Sequence, residues 1–280
     1  MSVGAAFRSP LENTSNHLIA ALPAPDAERL LAACTPVELA LSELLCERDD
    51  LTTHVFFPTT GFISLISLAD SRAGVELGMI GREGMLGAHL CLDVFTSPLR
   101  AVVQGAGTAL RVAADEFIDL MAASSALCHV MRRYQYVLTA QQATSAACLR
   151  FHLIDQRLAR WLLMSQDCAP GTFFQVTQEF LAYMLGVRRV GTSVATSSLL
   201  RDGLIEYRNG QVRVIDRARL KLSACSCYAA DRRSYDALFG NHLEEDRRAS
   251  EDSGAEIPSP PPSDVPLRVL HDSTGARQRE

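Results

Sequence analysis

The segment 177–215 constrains this chain most, because two short helical patterns in it are followed by two short strand patterns. Thr177 is typical of a helix N-cap, and apolar residues at three- and four-residue spacing follow it. Gly186 suits the end of this first helix because glycine accepts the left-handed conformation found just past a helix C-terminus. A second helix is predicted from about Val187 to Arg201.

Two short strands are predicted after the second helix, at Leu204–Tyr207 and Gln211–Ile215. Asn209-Gly210 joins them, and Asn-Gly is the dipeptide best suited to a type I′ hairpin. Two helices joined by a tight turn and followed by a hairpin form a winged helix-turn-helix, which places its second helix in the major groove of DNA. A helical pair with an unrelated hairpin is the simpler alternative.

The distribution of charge favours a nucleic-acid partner more than the net charge of −5 does. Residues 1–149 hold 9 Lys+Arg against 15 Asp+Glu (net −6), residues 150–233 hold 13 against 7 (net +6), and residues 234–280 hold 5 against 10 (net −5). Because a phosphate backbone responds to the local field, the basic module between two acidic ones is the expected DNA-binding part.

Length and composition predict a protein of two domains with tails. A chain of 280 residues, 48% of them hydrophobic, is long enough for each domain to bury its own core. No apolar run is long enough to cross a bilayer and no cleavable signal pattern is present, so a cytoplasmic location without a membrane partner is expected. The eight cysteines form no disulfide framework, as in a reducing compartment.

Short strand-like runs separated by turn residues extend from about Val37 to Val112 and predict a small antiparallel barrel or roll. The predicted strands are His54–Phe57, Phe62–Leu68, Val75–Ile80, Ala101–Gln104 and Ala109–Val112. Helices are predicted on either side of this region, at 17–33 and from Asp115 to Met121.

A long helix is predicted from Ser125 to about Ala147. Its apolar stripe has three- and four-residue spacing and consists of Leu127, Val130, Met131, Tyr134, Val137 and Leu138. Such a stripe needs a partner, either the chain's own domain or a second copy of the helix. A further helix, at about Phe151–Ser165, is expected to pack under the DNA-binding unit. The polar, proline-rich sequence after Gly240 is expected to be disordered.

The order of β-roll, long helix and winged helix-turn-helix resembles the Crp/Fnr superfamily of bacterial transcription regulators over roughly residues 15–240. The segments that carry the resemblance are HVFFPTTGFISL (54–65), GMIGREGMLG (78–87), DQRLARWLLM (155–164), FLAYMLGVRR (180–189) and GLIEYRNGQVRVID (203–216). The resemblance implies an α+β fold with an N-terminal antiparallel, jelly-roll-like β-roll. It also implies a homodimer joined along the long helix, a two-fold double-stranded DNA operator, and RNA polymerase as a partner.

The resemblance divides the chain into six parts. These are a flexible leader (1–14), a cyclic-nucleotide-binding-like effector domain (15–123), a dimerisation helix (124–149), a winged helix-turn-helix domain (150–228), a short C-terminal helix (229–240) and a disordered tail (241–280). The predicted function is a sequence-specific transcriptional regulator whose N-terminal domain senses an unknown small-molecule or other signal. The alternative is a protein-interaction or redox- or metal-sensing regulator with weakened DNA binding. No enzymatic motif is present, so no catalysis is predicted.

Residues that contact DNA are implied by the same resemblance. Arg189 matches the position from which relatives contact guanine O6 and N7, a geometry that suits arginine, and the adjacent Arg188 suits a phosphate. The other predicted DNA-binding residues are Ser193 and Ser197 on the face of Arg189, Thr177 and Gln178 at the start of the first helix, and Arg208 in the wing. The opposite, packing side of the helix is expected to hold Thr192, Ala195, Thr196 and Leu199.

Three residues of the recognition helix depart from the family pattern. Val190 and Val194 replace polar base-contacting side chains, and Gly191 costs about 1 kcal/mol of helix stability relative to alanine. The base preference is therefore not predictable, and a helix that is loose without DNA is expected.

The effector pocket lacks one residue that cyclic-nucleotide-binding relatives use. These relatives hold the ribose hydroxyl with an acidic residue after a glycine, and the phosphate with an arginine about ten positions later. The matching positions are Gly87 and Ala88, then Arg100, with Ala101 competing in alignment for the arginine position. Because Ala88 has no carboxylate, cyclic AMP is not expected to be the effector.

Few residues suggest a metal or cofactor. His89 and Cys91 are two residues apart, and Cys225-Ser226-Cys227 is the tightest cysteine pair. A C-x-C pair without a second half-site is weak support for zinc, and a redox pair is the other specific interpretation. Buried, inert thiols are the default, so neither a metal nor a cofactor is predicted.

Overall fold

The computed structural model describes residues 16–70, 73–168, 173–208 and 210–240. The predicted leader and tail lie outside these residues. The fold is α+β, as predicted, with an N-terminal antiparallel sheet, a long helix and a C-terminal helix-turn-helix unit. None of the helices in the described part of the chain is long and apolar enough to span a membrane.

A five-stranded antiparallel sheet forms the N-terminal roll. Its strands are β1 (Thr35–Leu39), β2 (Leu44–Cys46), β3 (His54–Asp70), β4 (Ala73–Ile80) and β5 (Arg100–Ala113). Strand β5 pairs with β1, β2 and β3, and β3 pairs with β4. The helical elements around the sheet are α1 (His17–Ala20), α2 (Ala24–Ala33), a 3₁₀ helix (Ala88–Leu92) and α3 (Ala114–Ala123).

The predicted interruptions of the long strands are wrong. The runs predicted at 54–57 and 62–68 are parts of the continuous β3, and those at 101–104 and 109–112 are parts of β5. The predicted turn residues lie at β-bulges within the continuous strands. At one of them, Gly61 has φ +72°, and a Cβ at this glycine would lie 2.3 Å from the Gly105 carbonyl oxygen. Glycines at a bulge let two backbones come close while the strand continues.

The single helix predicted over 17–33 is also two helices. Pro23 is the N-cap of α2 and has an extended backbone, so it separates α2 from α1. Proline lacks the N–H that would continue the first helix.

The long helix α4 (Ser125–Phe151) extends four residues beyond its predicted end. Its apolar stripe is buried within the chain, since Leu127, Met131 and Val137 are at most 1% exposed. The stripe belongs largely to the core of the roll, where Phe57 and Phe117 meet edge to face at 6.0 Å. Of the two partners that the sequence left open for this stripe, the chain's own domain is therefore the one that covers it.

The C-terminal unit is built from α5 (Ile154–Cys168), β6 (Phe173–Gln175), α6 (Gln178–Met184), α7 (Arg189–Arg201), β7 (Ile205–Arg208), β8 (Gln211–Val214), α8 (Arg217–Ser223) and α9 (Cys227–Phe239). A second core holds it together, centred on Trp161, whose ring is 6.3 Å from both Phe174 and Phe180. Helix α9 returns to α4, where the guanidinium of Arg133 donates a hydrogen bond to the carbonyl oxygen of Leu238.

Candidate nucleic-acid interface

The helix-turn-helix begins at α6, as predicted. The Thr177 hydroxyl oxygen accepts a 3.1 Å hydrogen bond from the Phe180 N–H and caps the helix. Gly186 has φ +59° and follows the last residues of α6 in the turn. Helix α7 begins at Arg189 rather than at Val187, because Arg188 has an extended backbone and is the N-cap.

One face of α7 packs against the domain. The buried residues of the helix are Thr192, Ala195, Thr196 and Leu199, which confirms the predicted packing side. The Thr192 hydroxyl donates to the Arg189 carbonyl oxygen at 2.8 Å, and the Thr196 hydroxyl donates to Gln178 Oε1 at 3.5 Å. Gln178 therefore joins the start of α6 to the middle of α7.

The opposite face of α7 is open. Arg188, Arg189 and Ser197 are exposed and Ser193 is half-buried. Val190 and Val194 are 75% and 66% exposed, so this surface is apolar between its basic and hydroxyl side chains. The face continues into an open groove against the beginning of α5, at 153–155.

The position of Gly191 explains the absence of a side chain there. The residue lies inside a continuous helix, and a Cβ on it would come within 2.9 Å of Ile154 Cδ1. The glycine lets α7 approach the first turn of α5 closely.

The wing forms a three-stranded sheet with the order β6-β8-β7. Strands β7 and β8 differ from their predicted bounds by one residue, and Gly210 has φ +77°, while Asn209 lies outside the described residues. Strand β6 was not predicted, since three residues carry too little periodicity. The Tyr207 hydroxyl donates to the Val176 carbonyl oxygen at 2.9 Å and fixes the wing near α6. Arg208 is exposed at the end of β7.

The cavity beside Gly87 is small and does not reach Arg100. Gly87 lines a cavity of about 70 Å³, and Arg100 is not among its lining residues. Pockets for small molecules are typically about 300–1,000 Å³, so this cavity is too small for a nucleotide. Arg100 pairs instead with Glu47 at 2.6 Å, and Ala88 and Ala101 are buried.

Arg100 also connects the roll to the helix-turn-helix. Its guanidinium is hydrogen-bonded to Glu47 and interacts electrostatically with Tyr183 on α6. A Cβ at Gly74 of β4 would lie 2.3 Å from the Tyr183 hydroxyl, so the tyrosine packs directly against the sheet. Helix α6 is therefore held against the roll.

His89 has an ordinary structural role in this arrangement. Its Nε2 lies 2.7 Å from the Thr52 hydroxyl, and burial lowers the pKa of the imidazole. The cysteine pair has a second half-site that the sequence analysis missed: Cys148 and His152 lie beside Cys225 and Cys227. The signal that indicates it is the i,i+4 spacing of cysteine and histidine at the end of α4.

Comparison with known proteins agrees with this architecture. Residues 156–222 match the family model of the Crp-like helix-turn-helix domain. The fold is similar to that of FixK2 from Bradyrhizobium japonicum (14% identity, 69% of this chain and 98% of that chain, TM-score 0.59). It is also similar to the c-di-GMP responsive global regulator CLP from Xanthomonas campestris (18%, 69% and 100%, 0.56) and to TTHB099, a CRP family transcriptional regulator from Thermus thermophilus (18%, 67% and 96%, 0.55). No curated protein sequence matches the chain.

The roll, the long helix and the winged helix-turn-helix together define an α+β fold that the chain shares with these solved structures. The family match covers the helix-turn-helix part of the chain, residues 156–222, and the likeness to the solved structures is one of fold.

Proposed function

We propose that this protein is a sequence-specific transcriptional regulator that binds a two-fold DNA operator as a homodimer. The observation that carries the proposal is the division of α7 into a buried face and an open face that begins with Arg188 and Arg189. A helix held in this way by α6 presents its first turns to the major groove. The net charge of +6 over residues 150–233 supplies the attraction for phosphate.

The side chains of the open face suggest separate roles. Arg189 would donate two hydrogen bonds to a guanine, and Arg188 would pair with a phosphate. Hydrogen bonds to DNA would also come from Ser193 and Ser197 on α7, from Thr177 and Gln178 at the start of α6, and from Arg208 in the wing. Val190 and Val194 are suited to contact thymine methyl groups, which are the apolar feature of the major groove.

The dimer would form along the exposed face of α4 instead of the buried stripe. Exposed residues on this face recur at alternating spacings of four and three: Ser125, His129, Arg132, Tyr136, Thr139, Ala143, Ala146 and Arg150. A mean period of 3.5 residues keeps one seam facing a partner helix, as in a coiled coil. The small side chains of Ala143 and Ala146 permit close approach toward the C-terminal end.

Control by a signal would act through the contact between the roll and α6. Tyr183 interacts electrostatically with Arg100 and packs against Gly74, so a change in the roll would move the helix-turn-helix. RNA polymerase is the partner expected once the operator is occupied.

Selection of bound fragments from sheared genomic DNA, followed by sequencing, tests the proposal. Full-length protein should enrich fragments that share an inverted repeat with half-sites about ten base pairs apart. If a shared inverted repeat is no more frequent in the bound fragments than in an unrelated sequence library, the proposal is contradicted.

A further inference from the structure

Four side chains with donor atoms for a metal ion meet at the junction of α4, α8 and α9. Cys148 lies in the last turn of α4 and His152 is its C-cap, while Cys225 lies between α8 and α9 and Cys227 is the first residue of α9. Their ligating atoms all lie within 4.8 Å of one another. Cys148 Sγ is 3.5 Å from Cys225 Sγ, and Cys227 Sγ is 3.5 Å from His152 Nδ1.

Local structure fixes each half of this cluster. The i,i+4 spacing places Cys148 and His152 on one side of α4, and the His152 N–H donates to the Cys148 carbonyl oxygen at 3.2 Å. On the other half, the Tyr228 N–H donates to the Cys225 carbonyl oxygen at 3.2 Å in the turn that begins α9. The two halves are 77 residues apart in sequence, and the packing of α9 against α4 brings them together.

The spacing of the donor atoms fits one tetrahedral ion. Zinc bonds of about 2.3 Å to sulfur and about 2.0 Å to nitrogen place two sulfurs roughly 3.8 Å apart, and sulfur and nitrogen roughly 3.6 Å apart. Two of the six separations are 3.5 Å, within a few tenths of an ångström of these values, and the other pairs lie within 4.8 Å, so a contraction of roughly 1 Å or less brings all four donors onto one ion. An iron–sulfur cluster, in contrast, interposes bridged irons between its thiolates and needs a wider opening.

The three cysteines of the cluster are buried and lie near positive charge. All three cysteines are buried, with exposures of 2%, 6% and 7% for Cys148, Cys225 and Cys227. The guanidinium of Arg160 interacts electrostatically with Cys148 and Cys225. Three thiolates and a neutral imidazole around a divalent ion carry a net charge of −1. The guanidinium of Arg157, which interacts electrostatically with Cys148 and Cys225, partly balances that charge.

We propose that Cys148, His152, Cys225 and Cys227 form a closed, four-coordinate site for a single zinc ion. The set of three cysteines and one histidine is typical of structural zinc, and its soft donors disfavour magnesium and calcium. The ion replaces the thiol protons and fastens the beginning of α9 to the end of α4.

The site also fixes the connection between the two units. Helix α4 ends at Phe151 and α5 begins at Ile154, so His152 is one of only two linking residues. With His152 bound to the ion, the linker has a single conformation, and the winged unit keeps its orientation relative to α4. This second role rests on the proposed DNA-binding function.

Metal content and cobalt substitution test the site without any use of DNA. Full-length protein purified without chelator should contain one zinc ion per chain, and the metal-free protein should bind Co²⁺ with the intense absorption of tetrahedral thiolate coordination. Zinc should raise the Tm of the metal-free protein by roughly 5 °C or more, because a ligand that binds only the native state stabilises it.

Variants distinguish this cluster from the other thiols. Cys225→Ser combined with Cys227→Ser should lose the zinc and the cobalt absorption, whereas Cys128→Ser, on the same long helix, should retain both. His152→Cys should retain one ion per chain, because it keeps four donors. Equal metal content in the double variant and the parent would overturn the proposal. A metal-free parent with a Cys148–Cys225 disulfide under reducing conditions would also overturn it.

If the double variant fails to fold, measurements on the parent protein still test the zinc site. Absence of any cobalt absorption or zinc-dependent change in Tm in the metal-free parent would overturn the site. For the linker role, removal of zinc should weaken operator binding at least tenfold, with restoration by added zinc. Unchanged operator affinity would overturn that role, while failure of the parent itself to bind any operator would contradict the proposed function instead.

Discussion

The Ser64 hydroxyl donates a 2.5 Å hydrogen bond to the Glu76 carboxylate across the neighbouring strands β3 and β4. Glu76 lies where the roll meets α5, beside Arg160 and Trp161. Burial raises the pKa of Glu76 to about 7, and the hydrogen bond from Ser64 offsets only part of this increase. The contact between the two units therefore contains a carboxyl group that titrates near neutral pH.

Glu76→Gln should remove a pH-dependent part of the stability. The native protein binds this proton more tightly than the unfolded chain, whose glutamate has its usual pKa of 4.5. Stability from this group is thus fully present below about pH 4.5 and is lost as the pH rises through 7. As the pH rises from 5 to 8, the free energy of unfolding of the variant should increase by on the order of 2 kcal/mol relative to that of the parent. Urea unfolding at the two pH values measures this difference.

Ser64→Ala provides the matched comparison for this prediction. It removes a hydrogen bond that stabilises the charged carboxylate, so its stability should fall more steeply with pH than that of the parent. If the free energies of unfolding of Glu76→Gln and the parent differ by the same amount at pH 5 and at pH 8, Glu76 does not titrate as expected.

Substitutions of the two arginines at the start of α7 should have different effects on DNA binding. Arg189→Ala should cost about 1–3 kcal/mol of operator affinity and relax the base preference, since it removes a base contact. Arg188→Ala should weaken binding to all sequences and reduce the salt dependence, since it removes a phosphate contact. Fluorescence anisotropy across a salt series measures both effects. A double variant that binds a selected operator as tightly as the parent would contradict the assignment.

Replacement of thymine by uracil in the operator tests the role proposed for the exposed valines. Uracil lacks only the 5-methyl group, so each contacted position should lose roughly tenfold in affinity, or about 1.4 kcal/mol. In Val190→Ala, replacing thymine by uracil at one operator position should no longer reduce the affinity. In Val194→Ala, the same should hold for a different operator position. Uracil operators that bind the parent as tightly as thymine operators would exclude methyl contacts.

The dimer should depend on the exposed face of α4. Tyr136→Glu combined with Ala143→Glu should produce monomers in sedimentation and abolish operator binding, with little change in Tm because both positions are exposed. Ala122→Glu, at an exposed position on α3, should change neither property. Dimers that persist after both substitutions would exclude this face.

Cyclic AMP and cyclic GMP should leave operator affinity unchanged. The cavity at Gly87 holds only about 70 Å³, Ala88 offers no carboxylate to a ribose, and Arg100 is already paired with Glu47. Calorimetry and anisotropy with millimolar nucleotide measure the outcome. Micromolar binding accompanied by tighter operator binding would contradict the prediction.

The sequence alone determined the features that depend on neighbouring residues. The Thr177 cap, the left-handed Gly186 and the buried side of α7 follow from side-chain chemistry, backbone conformation and the helical period of 3.6 residues, which act within a few positions of the chain. The separate strands were predicted less well, because a glycine that ends one strand and a glycine that bends another have the same local sequence pattern.

Only the tertiary structure decided which surfaces and side chains meet. The spacing of apolar residues along α4 requires that its stripe be covered. That spacing carries no information about what covers the stripe. In the structure the roll covers it, rather than a second copy of the helix. Arg100 meets Glu47 across 53 residues, and Cys148 meets Cys225 across 77. Contacts at such separations depend on how whole elements pack, since burial constrains the polarity of a face without specifying its partner.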